Sequence, residues 1–403
     1  MKKTFLNRFI NYIKFDTQSD DKTFTHPSTE KQKDLGNFLV NELKNLGIKN
    51  AYMDDFGYVY AKIDGKVTNK TVGLIAHMDT ALEENGKVDN PNIIENYQGE
   101  VIKLKNNIIL DTNNFPNLKN VIGHTIVTTD GTTLLGADDK AGITIIMSTI
   151  EELLKGNYNY PNIFVAFTPD EEIGEGTENF NYDYFKVDFA YTLDGDDIDV
   201  INYENFNASS AIVTFLGKSI HPGSAKGKMI NSQLIAMEFQ AMLPDIRPEN
   251  TSDYEGFNHL SSITGDVSKT VSEYIIRNHD EVLFKKQIKD FYDITDFLNK
   301  KYGYDVVNLD IKLSYKNMKE KVNEKPYVLN YPVKALKELG FTPKFVPIRG
   351  GTDGASLSFH NIVCPNLGTG GDNMHGPYEY VSVDNMVNMS KIIIKMLDII
   401  ANE

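Results

Sequence analysis

A single cysteine in 403 residues rules out an internal disulfide framework and fits a reducing cytoplasm. Cys364 itself lies in the apolar run Ile362-Val363-Cys364-Pro365, where it reads as a small core hydrophobe rather than a nucleophile. No apolar run reaches membrane-spanning length, so no membrane partner is expected. Positive charge is scarce: 41 Lys and Arg face 56 Asp and Glu, a formal net charge of −15, which argues against a nucleic-acid surface. Internal repeats and low-complexity segments are also lacking. Met1-Lys2-Lys3 could imitate a signal peptide, but Asn7, Arg8, Asn11 and Lys14 break any apolar core, while Phe5, Phe9 and Ile13 share one helical face. What is there, 41% hydrophobic and 24% charged residues, suits a soluble protein with two cored domains.

Along the chain, a capping box Thr29/Gln32 predicts a helix carrying Leu35, Phe38, Leu39, Leu43 and Leu46 and closed by Gly47. Strands are predicted over Tyr58 to Ile63 and Thr71 to Ala76. The polar, Asn-rich stretch from Glu83 to Asn120 predicts a long surface excursion, followed by β-rich Thr125 to Thr129. Ile143, Ile146, Met147, Ile150 and Leu154 repeat at helical spacing after the loop Leu135-Gly136-Ala137-Asp138-Asp139-Lys140-Ala141-Gly142. Ile163 to Phe167 and Phe189 to Leu193 read as buried strands. Apolar strands alternating with helices predict an α/β fold, a three-layer, mostly parallel sheet. After Glu204 the texture changes to strands at Ala211 to Leu216, Tyr274 to Arg277 and Leu309 to Tyr315, with helices at Ser232 to Leu243 and Asp280 to about Lys301. That order predicts a smaller α+β domain inserted over 206–320, between catalytic parts 1–205 and 321–403. In the last part a helix is expected over Val333 to Leu339, an extended run over Lys344 to Ile348 and a closing helix from Asp384.

The acidic and imidazole residues gather at strand ends. His77 and Asp79, two apart on an extended strand, point to one side, which suits a metal ligand and either a co-ligand or a carboxylate orienting the imidazole. Asp170-Glu171-Glu172 follows a buried strand directly, and three acids there are costly unless a cation or shared proton compensates. Asp194 ends another strand, and Asp138 or Asp139 is placed to bridge a metal pair; alone, that loop would equally serve as a helix cap. With His375, the set is borderline-hard and suits Zn²⁺, with Mn²⁺ or Co²⁺ tolerated. Of Glu171 and Glu172, one should ligate and the other act as general base; spacing leaves the choice open.

These motifs resemble the two-zinc exopeptidases related to aminoacylase and carboxypeptidase G, and in particular their tripeptide-cleaving aminopeptidases. Glu204-Asn205-Phe206-Asn207-Ala208, His221-Pro222-Gly223-Ser224-Ala225-Lys226-Gly227 and Arg349-Gly350-Gly351-Thr352-Asp353-Gly354 extend the likeness over nearly the whole chain. The resemblance implies two zinc ions per subunit, one held by His77, Asp138 and Asp194, the other by Asp138, Glu172 and His375. It also implies that Glu171 is the general base, that Asp79 orients His77, and that the inserted domain is a lid. His221 would polarise the scissile carbonyl and Arg349 would take the terminal carboxylate of a small peptide. A monomer or a homodimer through the lid is compatible with it. The run Gly371-Asp372-Asn373-Met374-His375 carries one acid beyond the family pattern.

Overall fold

The computed structural model describes residues 1–67 and 70–403. The chain divides into two compact units, Met1–Tyr203 with Met318–Val346 and Thr352–Glu403, and Glu204–Asn317 with Pro347–Gly351.

The first unit is built on an eight-stranded sheet in the order Tyr52–Met53, Val59–Ile63, Asn162–Thr168, Thr71–His77, Phe189–Gly195, Asn366–Gly368, Val200–Asn202, Lys344–Phe345. Its centre is parallel, from Asn162–Thr168 to Asn366–Gly368, but the pairings of Val59–Ile63 and of Val200–Asn202 with Asn366–Gly368 are antiparallel. Among the described residues four of the seven pairings are parallel, so the sheet is mixed, mostly parallel as expected but with antiparallel pairings on either side of its centre, because an apolar run encodes burial and not strand direction. Every residue from Val72 to His77 is buried, so both faces of the sheet are covered. Helix Ala137–Lys155 packs on the central strands and in turn carries helices Lys2–Tyr12 and Val383–Ala401.

Four local expectations are corrected. Thr29 does not cap the second helix, which runs Gln32–Asn45 with Lys31 as N-cap; Gln32 instead turns its amide to Asp170 at 2.7 Å. The stretch 83–120, expected as a surface excursion, forms short strands and packs Tyr97, Ile102, Leu110 and Leu118 against Ile126 and Tyr380. The helix expected from Val333 starts at Tyr327 and contains Pro332. Proline has no N–H for the Val328 carbonyl one turn back, and the Tyr191 hydroxyl donates to that carbonyl at 2.6 Å instead. Of the expected run Lys344 to Ile348, only Lys344–Phe345 is strand.

The second unit is a four-stranded antiparallel sheet, Phe257–Gly265, Lys269–Asn278, Asn207–Leu216, Val307–Tyr315, against which helices Ser232–Met242 and Glu281–Tyr302 pack. Val213, Phe215, Phe239, Tyr274, Phe291 and Leu298 form its core. Asn231 and Asp280 cap the two helices through Gln233 N and Leu283 N. The strand Phe257–Gly265 was not expected, because its residues do not alternate cleanly. Segment Pro347–Gly351 clusters with this unit, so Arg349 belongs here and not with residues 352–403. Among the described residues, no helix is long and apolar enough to cross a membrane.

Candidate functional site

In the first unit the parallel strands deliver acids and imidazoles at their C-terminal ends, where α/β sheets open a crevice. His77 is the last residue of its strand, and Asp194 lies near the end of Phe189–Gly195. The acidic loop enters from Gly136, whose φ of 73° is left-handed backbone that glycine adopts freely. At Gly142 a Cβ would meet the Leu193 carbonyl oxygen at 2.0 Å and Asp139 Oδ1 at 2.4 Å, so glycine is what lets the helix start this close to the strand end.

His77 Nε2 lies 2.7 Å from Asp138 Oδ1 and 3.4 Å from Asp194 Oδ1. His375 Nε2 lies 3.3 Å from Asp138 Oδ2 and 3.1 Å from Glu172 Oε2. Two ligand-competent groups result, His77/Asp138/Asp194 and Asp138/Glu172/His375, and they share Asp138, one carboxylate oxygen facing each. Asp139 turns elsewhere: its oxygens accept the N–H of His77 at 3.2 Å and of Gly142 at 3.0 Å. Behind the ligands stands Asp79, fully buried, 3.3 Å from His77 Nδ1 and accepting the N–H of Glu171 at 3.0 Å and of Glu172 at 3.1 Å. Asp170 serves as scaffold, taking hydrogen bonds from Ser28 and Gln32.

The electrostatics show a shortage of positive charge. Burial, reinforced by Asp138, pushes Glu172 up to about 8. Burial likewise raises Asp194 to about 6 and Asp353 to about 7. Burial and then Asp194 push Glu171 well above the usual carboxylate range. Burial would lower the His77 imidazole, but Asp194, Asp138 and Asp79 hold it well above its ordinary value. Hydrogen bonds to Asp138 and Glu172 lift His375 to about 11. Glu172 Oε1 is buried and has no hydrogen-bond partner among the described residues, an acceptor left for a cation. Two imidazoles and three carboxylates fit a pair of divalent ions of the zinc type.

Two expected site residues belong to the second unit. His221 Nδ1 accepts the N–H of Gly223 at 3.2 Å, so the neutral imidazole carries its proton on Nε2. Arg349 Nη1 donates to the carbonyls of Asp253 at 2.7 Å and Glu255 at 2.9 Å, Nη2 donates to Thr251 Oγ1 at 3.3 Å, and the guanidinium lies over Phe206 and Phe257. Donors at Nε and Nη2 remain for an anion.

Sequence reasoning missed residues around the ligands. Buried Asp353 accepts the Thr168 hydroxyl at 2.7 Å, and Glu83 Oε1 is 3.6 Å from His375 Nδ1. Glu379 grips the acidic loop from behind. Their only signal was acidic character close to a recognised motif.

A mixed α/β sheet whose strand ends gather two three-ligand groups around one shared carboxylate is an arrangement that suits metal-assisted hydrolysis. The comparisons name the class: residues 127–398 match the family model for Peptidase family M20/M25/M40. A peptidase T of Caldanaerobacter subterraneus subsp. tengcongensis is 47% identical over 98% of both chains, and one from Bacillus subtilis is 46% identical over 98% of both. In structure, a tripeptidase from Staphylococcus aureus aligns with TM-score 0.80 at 18% identity, covering 100% of this chain and 99% of that one. A dinuclear metal-binding M20 peptidase from Bacillus subtilis aligns at 0.66 and 13% identity, covering 99% of each chain. The chain belongs to peptidase family M20/M25/M40 and is a metal-dependent peptidase.

Proposed function

We propose that this chain is a cytoplasmic metallo-aminopeptidase that releases the N-terminal residue from tripeptides, with two zinc ions per subunit. The observation that carries the metal chemistry is the shared carboxylate, Asp138, between His77/Asp194 and Glu172/His375. The tripeptide preference is carried by the full-length likeness to peptidases T. His77, Asp138 and Asp194 would hold one ion, and Asp138, Glu172 and His375 the other. Bound there, a zinc pair would supply Lewis acidity and bring the pKa of a water towards about 7.

The chain's own groups do the rest. Glu171 takes the proton from the attacking water on a carboxylate oxygen and returns it to the departing amine, a task that suits a carboxylate raised by burial. Asp79, whose Oδ1 lies 3.3 Å from His77 Nδ1, favours the tautomer that keeps the proton on Nδ1, leaving the Nε2 lone pair free to ligate. The second unit acts as an inserted lid. There the His221 Nε2–H is the donor that polarises the scissile carbonyl, and the free Arg349 donors hold the tripeptide carboxylate.

Release of the N-terminal residue from trialanine, with dialanine, tetra-alanine and N-acetylated trialanine alongside, tests this before and after chelation and zinc add-back. Chelator-sensitive cleavage of trialanine alone is the expected result. Preferential cleavage of dialanine or of the acetylated peptide would overturn the substrate assignment, and chelator-resistant cleavage would overturn the metal assignment.

A further inference from the structure

Glu379 is 1% exposed, a carboxylate deep in the protein. Its Oε2 accepts the N–H of Leu135 at 2.6 Å and of Gly136 at 2.9 Å, and its Oε1 accepts the N–H of Asp138 at 3.1 Å. The left-handed Gly136 makes these donors converge as an anion-binding nest, filled here by a side chain from elsewhere in the chain. What the nest presents on its other side is Asp138, the shared carboxylate.

The backbone of Glu379 has a second attachment. Strands Gly371–Asp372 and Tyr380–Ser382 pair as a hairpin with His375 in the connection. That connection is tied across by Asn373 Nδ2 donating to the Tyr378 carbonyl at 3.2 Å and by Glu379 N donating to the Gly376 carbonyl at 3.2 Å. His375 adopts φ 63°, uncommon for a residue other than glycine, and is held there by the hairpin around it. Glu379 is thus the strut between the loop that carries Asp138 and the hairpin that carries His375.

We propose that Glu379 is a positioning residue that fixes Asp138 and His375 relative to one another, so that the site formed by Asp138, Glu172 and His375 is set before its metal arrives. This rests on the metal reading above. Glu379 touches neither ion nor substrate; it acts through the peptide groups of the Asp138 loop. A Gln at this position can accept two of the three N–H bonds but turns a donor toward the third, and an Ala accepts none. The effect is therefore graded.

The test is zinc binding to the full chain by competition with a chromogenic chelator, on the parent, Glu379→Gln, Glu379→Ala and Asp138→Ala, with far-UV circular dichroism of each metal-free form and kcat and KM on trialanine across zinc concentrations. The expected result is that Glu379→Gln weakens zinc binding by about 10–100-fold at the Asp138/Glu172/His375 site, the usual cost of losing an outer-shell partner, and by less at the His77/Asp194 site, which shares Asp138 but not His375. Glu379→Ala weakens it further, and kcat lost at limiting zinc returns at excess zinc with KM little changed. Folded variants that bind two zinc ions with parental affinity would overturn the proposal while leaving the metal reading intact. A parent that binds no better than Asp138→Ala would overturn both. If neither Glu379 variant folds, amide exchange on the metal-free parent decides: slow exchange at Leu135, Gly136 and Asp138 supports the strut, and free exchange refutes it.

Discussion

Tyr191 and Pro332 form a compensating pair whose energy can be read directly. Pro332 sits inside helix Tyr327–Glu338 and withholds the N–H that the Val328 carbonyl would otherwise accept. The Tyr191 hydroxyl, on a fully buried ring, supplies the missing donor at 2.6 Å. Tyr191→Phe removes that donor without opening a cavity and leaves a buried carbonyl unsatisfied, which costs about 1–3 kcal/mol. Pro332→Ala restores a helical N–H, at a cost of about 0.4–1 kcal/mol through the freer unfolded chain, set against relief of the helix defect. In the Pro332→Ala background, Tyr191→Phe should then cost little, giving a coupling of at least about 1 kcal/mol. Urea unfolding followed by far-UV circular dichroism, at fixed zinc and ionic strength, measures all four corners of the cycle. Equal costs of Tyr191→Phe in both backgrounds would refute the account of how this helix tolerates its proline. Activity on trialanine should be unchanged throughout, because neither residue touches a ligand group.

Glu171→Gln should lower kcat on trialanine by about 10²–10⁴-fold, the usual worth of general acid–base catalysis, while both zinc ions are retained; parental turnover would remove Glu171 from the base role. The metal-free protein should lose stability as pH rises. Buried Asp194, Asp353 and Glu172 hold protons up to about 6, 7 and 8 in the folded chain but release them near pH 4 when unfolded, so folding binds protons across that window. His375, raised to about 11, adds stability that is present below its unfolded value of about 6.5 and is lost as pH climbs through 11. Urea midpoints of chelated protein from pH 5 to 9 should fall steadily, and a flat or rising profile would show that the acids are not starved of positive charge.

The strands that carry the site were legible because continuous burial on both faces writes them as unbroken apolar runs: Ile163 to Phe167 predicted Asn162–Thr168, and Phe189 to Leu193 predicted Phe189–Gly195. Sheet direction at the edges was not, since antiparallel neighbours have the same apolar texture. The choice between Asp138 and Asp139 could not be read from spacing, because it depends on non-helical backbone at the helix start, φ −82°, ψ 103° and φ −122°, ψ 37°, that sends adjacent side chains apart. Glu379 was invisible for a different reason. Its partners lie more than 240 positions away in sequence, and a buried carboxylate that accepts backbone N–H groups leaves no pattern in side-chain types. From the sequence the helix start falls six residues late, at Val333 and not Tyr327, because the hydroxyl that lets the helix contain Pro332 comes from a separate strand.

Asp79 explains why the ligand geometry can be rigid although it brings so many acids together. One buried carboxylate backs His77, and it also accepts the peptide N–H groups of Glu171 and Glu172, the proposed base and ligand. Glu379 does the same for Asp138 from the opposite end of the chain. Both carboxylates spend acceptors on backbone donors that cannot leave, so Glu172 and Asp138 are each held by a bond that does not depend on an ion. A cage built this way keeps its shape while its charge is unbalanced, an imbalance that bound divalent ions would relieve. By contrast, Arg349 and His221 are oriented entirely within the second unit, by the carbonyls of Asp253 and Glu255 and by the N–H of Gly223. On the proposed reading, metal holding and peptide holding would draw on separate sets of local bonds, and a change in substrate preference would arise in the second unit without disturbing the ligands in the first.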